Sequence, residues 1–210
     1  MLRQHLSVYT TILAVLCLAA CTAKKGIVVP AAKEATFNTK QLALINSATA
    51  SDPMRVWKTT SKTDSLLLRS ESEAIDLETA DAAQVQLLAD RLYATVRDSI
   101  SMGVGIAAPQ VGILKDMIWV QRFDKEGFPF EVYINPVIRQ YSTKKQDCRE
   151  GCLSIPDRSD TTKTRAYAIL LEYDRLSGDH ITEMVEDFTA VIFQHEIDHL
   201  HGVLYLDHLD

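Results

Sequence analysis

Residues 187–202 constrain the fold of this chain more than any other part of the sequence. Their spacing predicts a helix that carries apolar residues on two different sides. One row contains Phe193, Ile197 and Leu200, and the other contains Phe188 and Ile192 together with His195 and His199. A helix that is apolar on two sides is buried. We therefore expect this helix to run through the middle of a domain, with the two histidines pointing inward.

The other periodic segments predict one further helix and several strands. Residues 79–100 have an apolar face at helical spacing, formed by Val85, Leu88, Leu92 and Val96. Short runs rich in β-branched and aromatic residues predict strands at residues 116–120, 131–134, 165–173 and 181–185, the last after a turn at residues 176–179. The predicted fold is therefore α+β, with mostly antiparallel strands packed around a central helix.

The buried helix contains the pattern His-Glu-x-x-His at His195, Glu196 and His199. Residues four apart lie on one helical face, so both imidazoles can bind a single metal ion. Glu196 is rotated by about 100° from His195, which places its carboxylate beside the ion rather than on it. In that position it can act as a general acid/base. The alternative is a pair of histidines on a helix face that bind no metal.

A catalytic metal site of this kind needs a third protein ligand and an open position for water. Cys152 is the candidate, because a thiolate is a strong donor for Fe2+, Zn2+, Ni2+ or Co2+. Taken alone, Cys152 is better explained as a buried structural cysteine. Cys148 is the rival ligand, and the polar stretch at residues 144–149 predicts that it is exposed and unliganded. If residues 144–151 form a flexible loop, a Cys148–Cys152 disulfide would remove the third ligand.

Residues 103–112 form a segment of mostly small residues directly after the first predicted helix. Glycine and alanine permit close approach of the backbone to a substrate or another chain. Gln110, near the end of this segment, could direct its amide toward an oxyanion. The alternative is a tight turn that does not contact a substrate.

Three segments taken together resemble the peptide deformylase family. They are similar to its Gly-x-Gly-x-Ala-Ala-x-Gln, Glu-Gly-Cys-Leu-Ser and His-Glu-x-x-His-Leu-x-Gly patterns, and they stand in that order at residues 103–110, 150–154 and 195–202. The resemblance extends from about residue 51, where Asp52-Pro53-Met54-Arg55 is similar to an early family segment, to about residue 209. It implies a peptide deformylase-like fold, from which this chain departs by an expanded segment at residues 59–77.

The resemblance also implies a role for each site residue. The metal ligands would be Cys152, His195 and His199, with Glu196 as the acid/base. The developing oxyanion would be bound by the Gln110 side chain and the Leu153 backbone N–H. An extended peptide would pair with the backbones of Gly105, Glu150 and Gly151. The implied reaction uses one divalent metal ion to remove the formyl group from N-formylmethionyl peptides, releasing formate.

Residues 1–21 have the composition of an export signal. Their apolar run is too short for a membrane-spanning helix and ends in Leu18-Ala19-Ala20-Cys21. This ending resembles the lipobox of bacterial lipoproteins, which implies that Cys21 is lipidated and that the protein is anchored in the cell envelope, outside the cytosol. The alternatives are a simple signal peptide cleaved near Ala20 and an uncleaved anchor. Peptide deformylases are normally cytosolic, so an exported member departs from the family.

The rest of the chain divides into a tether at residues 22–50 and a catalytic domain at residues 51–210. A formal net charge of −6 argues against a nucleic-acid-binding surface, and we expect a monomer. The sequence is also compatible with two other functions. One is a zinc peptidase, for which His208 is the late histidine available as third ligand. The other is a surface lipoprotein that binds formylated or other peptides without turnover.

Overall fold

The computed structural model describes residues 36–98 and 102–209. Four α-helices are present in this part of the chain: α1 (Thr39–Ile45), α2 (Lys62–Leu68), α3 (Ala82–Arg97) and α4 (Asp187–Leu200). The strands are β1 (Gly105–Ala107), β2 (Met117–Gln121), β3 (Phe130–Tyr141), β4 (Lys145–Cys152), β5 (Ile155–Ala166), β6 (Ala168–Asp174) and β7 (His180–Glu186). Two short 3-10 turns lie at Ala108–Val111 and Tyr205–His208.

Five strands form one antiparallel sheet in the order β1-β2-β3-β6-β7, and β4 pairs with β5 in a separate antiparallel ribbon. Because side chains alternate along a strand, the larger sheet has two apolar faces. Ile106, Met117 and Ile134 pack in the same core cluster as the apolar face of α3. Ala107, Ile118 and Tyr133 pack with α4 on the opposite side. The predicted α+β fold with a central helix is confirmed.

Helix α4 is buried along most of its length, from Thr189 to Ile197 and again at His199 and Leu200. The prediction that Phe188 points inward is wrong, because its side chain is 40% exposed. Phe188 lies in the first turn of α4, before the buried part of the helix. Its ring packs against Phe123 with 5.3 Å between the ring centroids.

The single strand predicted at residues 165–173 is also wrong. The backbone bends at Tyr167, so that β5 ends at Ala166 and β6 begins at Ala168. These two strands belong to different sheets. The polar residues 144–151 form most of β4 rather than a flexible loop. Most side chains of the β4–β5 ribbon are solvent-accessible. Such a ribbon lacks the apolar alternation by which strands are recognised in a sequence.

Residues 36–50 belong to the folded domain, so the predicted tether extended too far. Asn38 and Gln41 form a reciprocal cap at the start of α1. Ile45, at the end of α1, is fully buried in the core beside α3. From α3, the buried Arg91 donates hydrogen bonds to the carbonyls of Leu44, Ile45 and Asp52. These bonds satisfy the guanidinium in the interior and attach this segment to the domain.

The predicted export signal, including Cys21, lies outside the described residues. Within residues 36–98 and 102–209, the structure contains no helix with the length and apolar character needed to cross a bilayer.

We predict that Ile45→Ala lowers the free energy of unfolding by about 2–5 kcal/mol, because it leaves a cavity in the core. Leu66→Ala is the matched control, since Leu66 on α2 is 65% exposed and should change stability little. Urea unfolding followed by circular dichroism measures both. Equal stability of the two variants would mean that residues 36–50 do not contribute to the core.

Candidate metal centre

Three side chains from two elements converge on one point. Cys152 ends β4, and His195 and His199 lie on one face of α4. Their candidate ligand atoms all lie within 4.8 Å of one another, and Cys152 Sγ is 3.2 Å from His199 Nε2. The structure therefore brings together the three ligands predicted from the sequence. One thiolate and two imidazoles form a donor set that suits a catalytic divalent ion and leaves a fourth position open.

The electrostatic environment favours the ligand form of Cys152, whereas His195 would have to release a proton to bind an ion. Burial alone would raise the pKa of the Cys152 thiol, but the adjacent His199 and His195 hold that pKa well below its usual value. Burial would lower the pKa of His195, whereas its hydrogen bonds with Cys152 and Glu150 hold it well above the usual value. The thiolate is the form of cysteine that binds a metal, so the site is prepared for an ion.

Behind His195 lies a buried network of charged groups. His195 Nδ1 is 2.8 Å from Glu150 Oε2, so Nε2 is the ring nitrogen available to an ion. Arg165 donates two hydrogen bonds to the Glu150 carboxylate, at 2.8 and 2.9 Å, and a third to Asp198. Although burial by itself raises the pKa of Glu150, bonds from His195 and Arg165 lower it to about 2. An ionised carboxylate on the outer nitrogen orients a metal-binding imidazole and increases its basicity.

The sequence alone does not predict this network. For Glu150 it predicts a role of the backbone, and no role of the side chain. Asp198 stands within the His-Glu-x-x-His segment, three residues after His195, which is a spacing that brings helical side chains close together. No feature of the sequence around Arg165 indicates its position, because its partners are brought to it only by the β4–β5 pairing and the packing of α4.

Glu196 is positioned beside the ligands but is not one of them. Its Oε2 atom is buried and has no hydrogen-bond partner among the described residues. Burial raises the pKa of this carboxyl to about 7. The carboxylate also lies against the backbone of Gly105, where an added Cβ would be 2.4 Å from Glu196 Oε1. Only glycine fits at position 105 without displacing the carboxylate.

Gln110 lies in the 3-10 turn at Ala108–Val111, which follows β1 directly. The Ala107 backbone N–H donates to Gln110 Oε1 at 2.9 Å, which fixes the orientation of the amide. The opposite end, Nε2, therefore points to the metal centre, 3.5 Å from Cys152 Sγ and 3.3 Å from Ser154 Oγ. Leu153 follows Cys152 in the turn between β4 and β5.

These groups line a cleft of about 480 Å³. One wall is β1, an edge strand of the larger sheet, and the opposite wall is β4 with Glu150 and Gly151. The Gln121 N–H donates to the Val104 carbonyl, so the polar groups of the next residue, Gly105, face away from β2 and toward the cleft. An extended peptide can therefore pair with this edge. The apolar residues Phe188, Val191 and Ile192 of α4 also line the cleft and can receive a side chain.

Two other sequence-based alternatives can be assessed from the geometry. Cys148 lines the cleft and is only half-exposed, but it is not among the metal-binding donors. Four residues of strand separate two positions by about 13 Å, which is beyond the roughly 7 Å limit for the Cα atoms of a disulfide. The proposed Cys148–Cys152 bond is therefore incompatible with β4.

His208, the third ligand required by the peptidase alternative, contacts Asp198 at 2.8 Å instead.

Comparisons with known proteins agree with this geometry. The family model described as polypeptide deformylase matches residues 57–210, so Asp52-Pro53-Met54-Arg55 lies before the matched region. A peptide deformylase from Desulforudis audaxviator is 43% identical over 124 residues, covering 59% of this chain and 77% of the relative. Peptide deformylase 2 of Bacillus subtilis is 36% identical over 156 residues, covering 68% of this chain and 84% of the relative.

The fold is similar to solved structures of the same family. A class I type b peptide deformylase from Acinetobacter baumannii, crystallised with Met-Ala-Ser, gives a TM-score of 0.67 at 31% identity, covering 76% of this chain and 99% of that one. The chain belongs to the peptide deformylase family. It is a metal-dependent hydrolase that uses one divalent ion and removes the N-formyl group from formylated peptides.

We predict that Glu150→Gln lowers the affinity for Zn2+ by about 10–100-fold, because the amide cannot supply the negative charge that orients His195. Asp147→Asn makes the equivalent change at an exposed position of the same strand and should leave the affinity unchanged. Competition with a chromophoric chelator measures both values. If the two variants bind Zn2+ equally well, the Glu150 carboxylate does not support the metal centre.

Proposed function

We propose that Cys152, His195 and His199 bind the catalytic ion and that Glu196 transfers the proton during deformylation. The observation that carries this proposal is the position of the Glu196 carboxylate: it is buried beside the three donors, with one oxygen unpaired among the described residues. Its pKa of about 7 suits a group that must both accept and donate a proton near neutral pH.

The reaction then follows from the arrangement of these groups. A divalent ion bound by the three ligands supplies Lewis acidity, which polarises the formyl oxygen and makes water more acidic. Glu196 accepts a proton from the attacking water as the new carbon–oxygen bond forms. It returns this proton to the α-amine as the carbon–nitrogen bond breaks. Formate and a free N-terminus are the products.

Two donors stabilise the charge that develops on the formyl oxygen. Gln110 Nε2 is one, because its orientation is fixed by the Ala107 N–H, and the Leu153 backbone N–H is the other. One well-placed donor of this kind typically contributes about 3–4 kcal/mol in the transition state. The peptide lies between Gly105 and the Glu150–Gly151 backbone, and its first side chain enters the apolar part of the cleft. The relative from Acinetobacter baumannii was crystallised with Met-Ala-Ser bound, which supports a peptide as the occupant of this cleft.

We predict that Glu196→Gln retains one metal ion per chain but lowers turnover of formyl-Met peptides by about 10²–10⁴-fold, because the amide cannot carry the proton. Glu186→Gln, an equivalent change at the exposed start of α4, should behave as the unsubstituted protein. Formate release and metal content are measured on the same preparations. Substantial activity in Glu196→Gln with its metal intact would exclude Glu196 as the proton carrier.

We also propose that the protein is exported and attached to a membrane through a lipid on Cys21. The support is in the sequence, where an apolar run ends in Leu18-Ala19-Ala20-Cys21. A diacylated residue gives stable anchoring without a spanning helix, since each buried methylene contributes about 0.8 kcal/mol. The deformylase domain would then act in the cell envelope rather than in the cytosol.

We predict that Cys21→Ser abolishes incorporation of labelled palmitate and releases the protein from the membrane fraction of a bacterial host. Cys17→Ser removes a thiol four residues earlier and should leave both properties unchanged. The measurements are autoradiography of the labelled protein and immunoblotting of the cell fractions. Loss of label in both variants, or in neither, would contradict lipidation at Cys21.

A further inference from the structure

A three-residue strap, Trp57–Lys58–Thr59, connects the two segments that carry the oxyanion donors. The Trp57 N–H donates to the Gln110 carbonyl at 2.7 Å. Two residues later, the Thr59 N–H donates to the Ser154 carbonyl at 2.9 Å. The strap thus binds the turn of Gln110 on one side and the turn after Cys152 on the other.

The middle residue of the strap reaches the second donor directly. Lys58 Nζ donates to the Leu153 carbonyl at 2.5 Å, and Lys58 lines the same cleft as Gln110 and Glu196. Contacts therefore hold the chain on both sides of the Leu153 N–H. Cys152 precedes it with its thiol at the metal centre, Lys58 binds its carbonyl, and Thr59 binds the carbonyl of the next residue. With the Cys152 side chain held before it and the Leu153–Ser154 peptide held after it, the Leu153 N–H has little freedom to change direction.

The strap is itself rigidly supported. The buried Asp64, in the first turn of α2, accepts a hydrogen bond from the Lys58 N–H at 3.2 Å and two more from the Arg55 guanidinium. The guanidinium lies 4.8 Å from the centre of the Trp57 ring. That ring packs on Gly112, which has a φ of +86° and where an added Cβ would be 2.5 Å from the ring. Lys58 is thus directed at Leu153 by a backbone with little freedom to move.

We propose that Lys58 is a positioning residue for deformylation, and that its ammonium group aligns the Leu153 N–H with the oxygen on which negative charge develops. The proposal rests on the oxyanion-binding role given to Gln110 and Leu153 above. Lys58 acts through Leu153 and does not transfer a proton. Its effect should therefore appear in the transition state rather than in substrate binding.

The test compares Lys58→Met, Lys58→Arg and Lys62→Met, each loaded with metal. Removing an oxyanion donor lowers kcat by about 10²–10³-fold, and misaligning one should cost less, so we expect kcat of Lys58→Met to fall about tenfold with KM within about twofold of its original value. Lys58→Arg keeps a cationic donor and should recover most of the lost kcat. Lys62→Met, the same change at an exposed site on α2, should have no effect.

A second readout does not depend on turnover. Hydrogen exchange at residues 152–154, followed by mass spectrometry, should be faster in Lys58→Met than in Lys62→Met, while the Tm and metal content of the two variants agree. An unchanged kcat in Lys58→Met would overturn the proposal. So would a rise in KM alone, which would show contact with the bound substrate, or a loss of kcat that Lys58→Arg does not recover.

Gln110→Ala separates this inference from the proposed function beneath it. If Gln110→Ala lowers kcat strongly and Lys58→Met does not, only the role of Lys58 fails. If neither variant changes kcat, the oxyanion-binding arrangement itself is wrong.

Discussion

The burial of α4 is the constraint on which the rest of the structure depends. Its amino-acid sequence places two histidines and a glutamate in the interior of the domain, where unpaired polar groups are costly. The histidines therefore need compensating partners, while Glu196 keeps one oxygen unpaired among the described residues. Glu150 compensates His195, Cys152 lies against His199, and Arg165 balances the charge of Glu150. A divalent ion, which the two histidines and the cysteine could hold together, would complete this compensation.

The strands form two separate sheets, and the two walls of the cleft therefore have different roles. The larger sheet ends at β1, whose outer edge has backbone groups free to pair with a peptide. The β4–β5 ribbon supplies Cys152 and Glu150 and forms the opposite wall. Neither sheet alone contains a complete site. The packing of α4 against β1 brings Glu196 to Gly105, and so places the proposed acid/base beside the edge where a peptide can bind.

Rigid support of the reacting groups is a recurring feature of the site. The carboxylate of Glu150 accepts hydrogen bonds from Arg165, the amide of Gln110 accepts one from Ala107, and the carbonyl of Leu153 accepts one from Lys58. Donors and acceptors fixed in this way do not have to reorganise when charge develops on the substrate, which is a principal source of electrostatic catalysis. The Lys58 contact also attaches the segment before α2 to the turn after Cys152.

The sequence by itself determined the metal-binding helix, because helical periodicity is local and places His195 and His199 on one face whatever surrounds them. The short segments around Gln110 and Cys152 were recognisable from their resemblance to a known family. Only the tertiary structure decided which side chains support them. The hydrogen-bonded pairs are far apart in the sequence: Arg165 and Glu150 by 15 residues, Arg91 and Ile45 by 46, and Lys58 and Leu153 by 95. The β4–β5 ribbon could not be predicted for a related reason. Most of its residues are exposed, so its strands are defined by their pairing and not by an apolar pattern. Contacts between residues far apart in the chain leave no periodic trace in a sequence, since they depend on how complete elements pack.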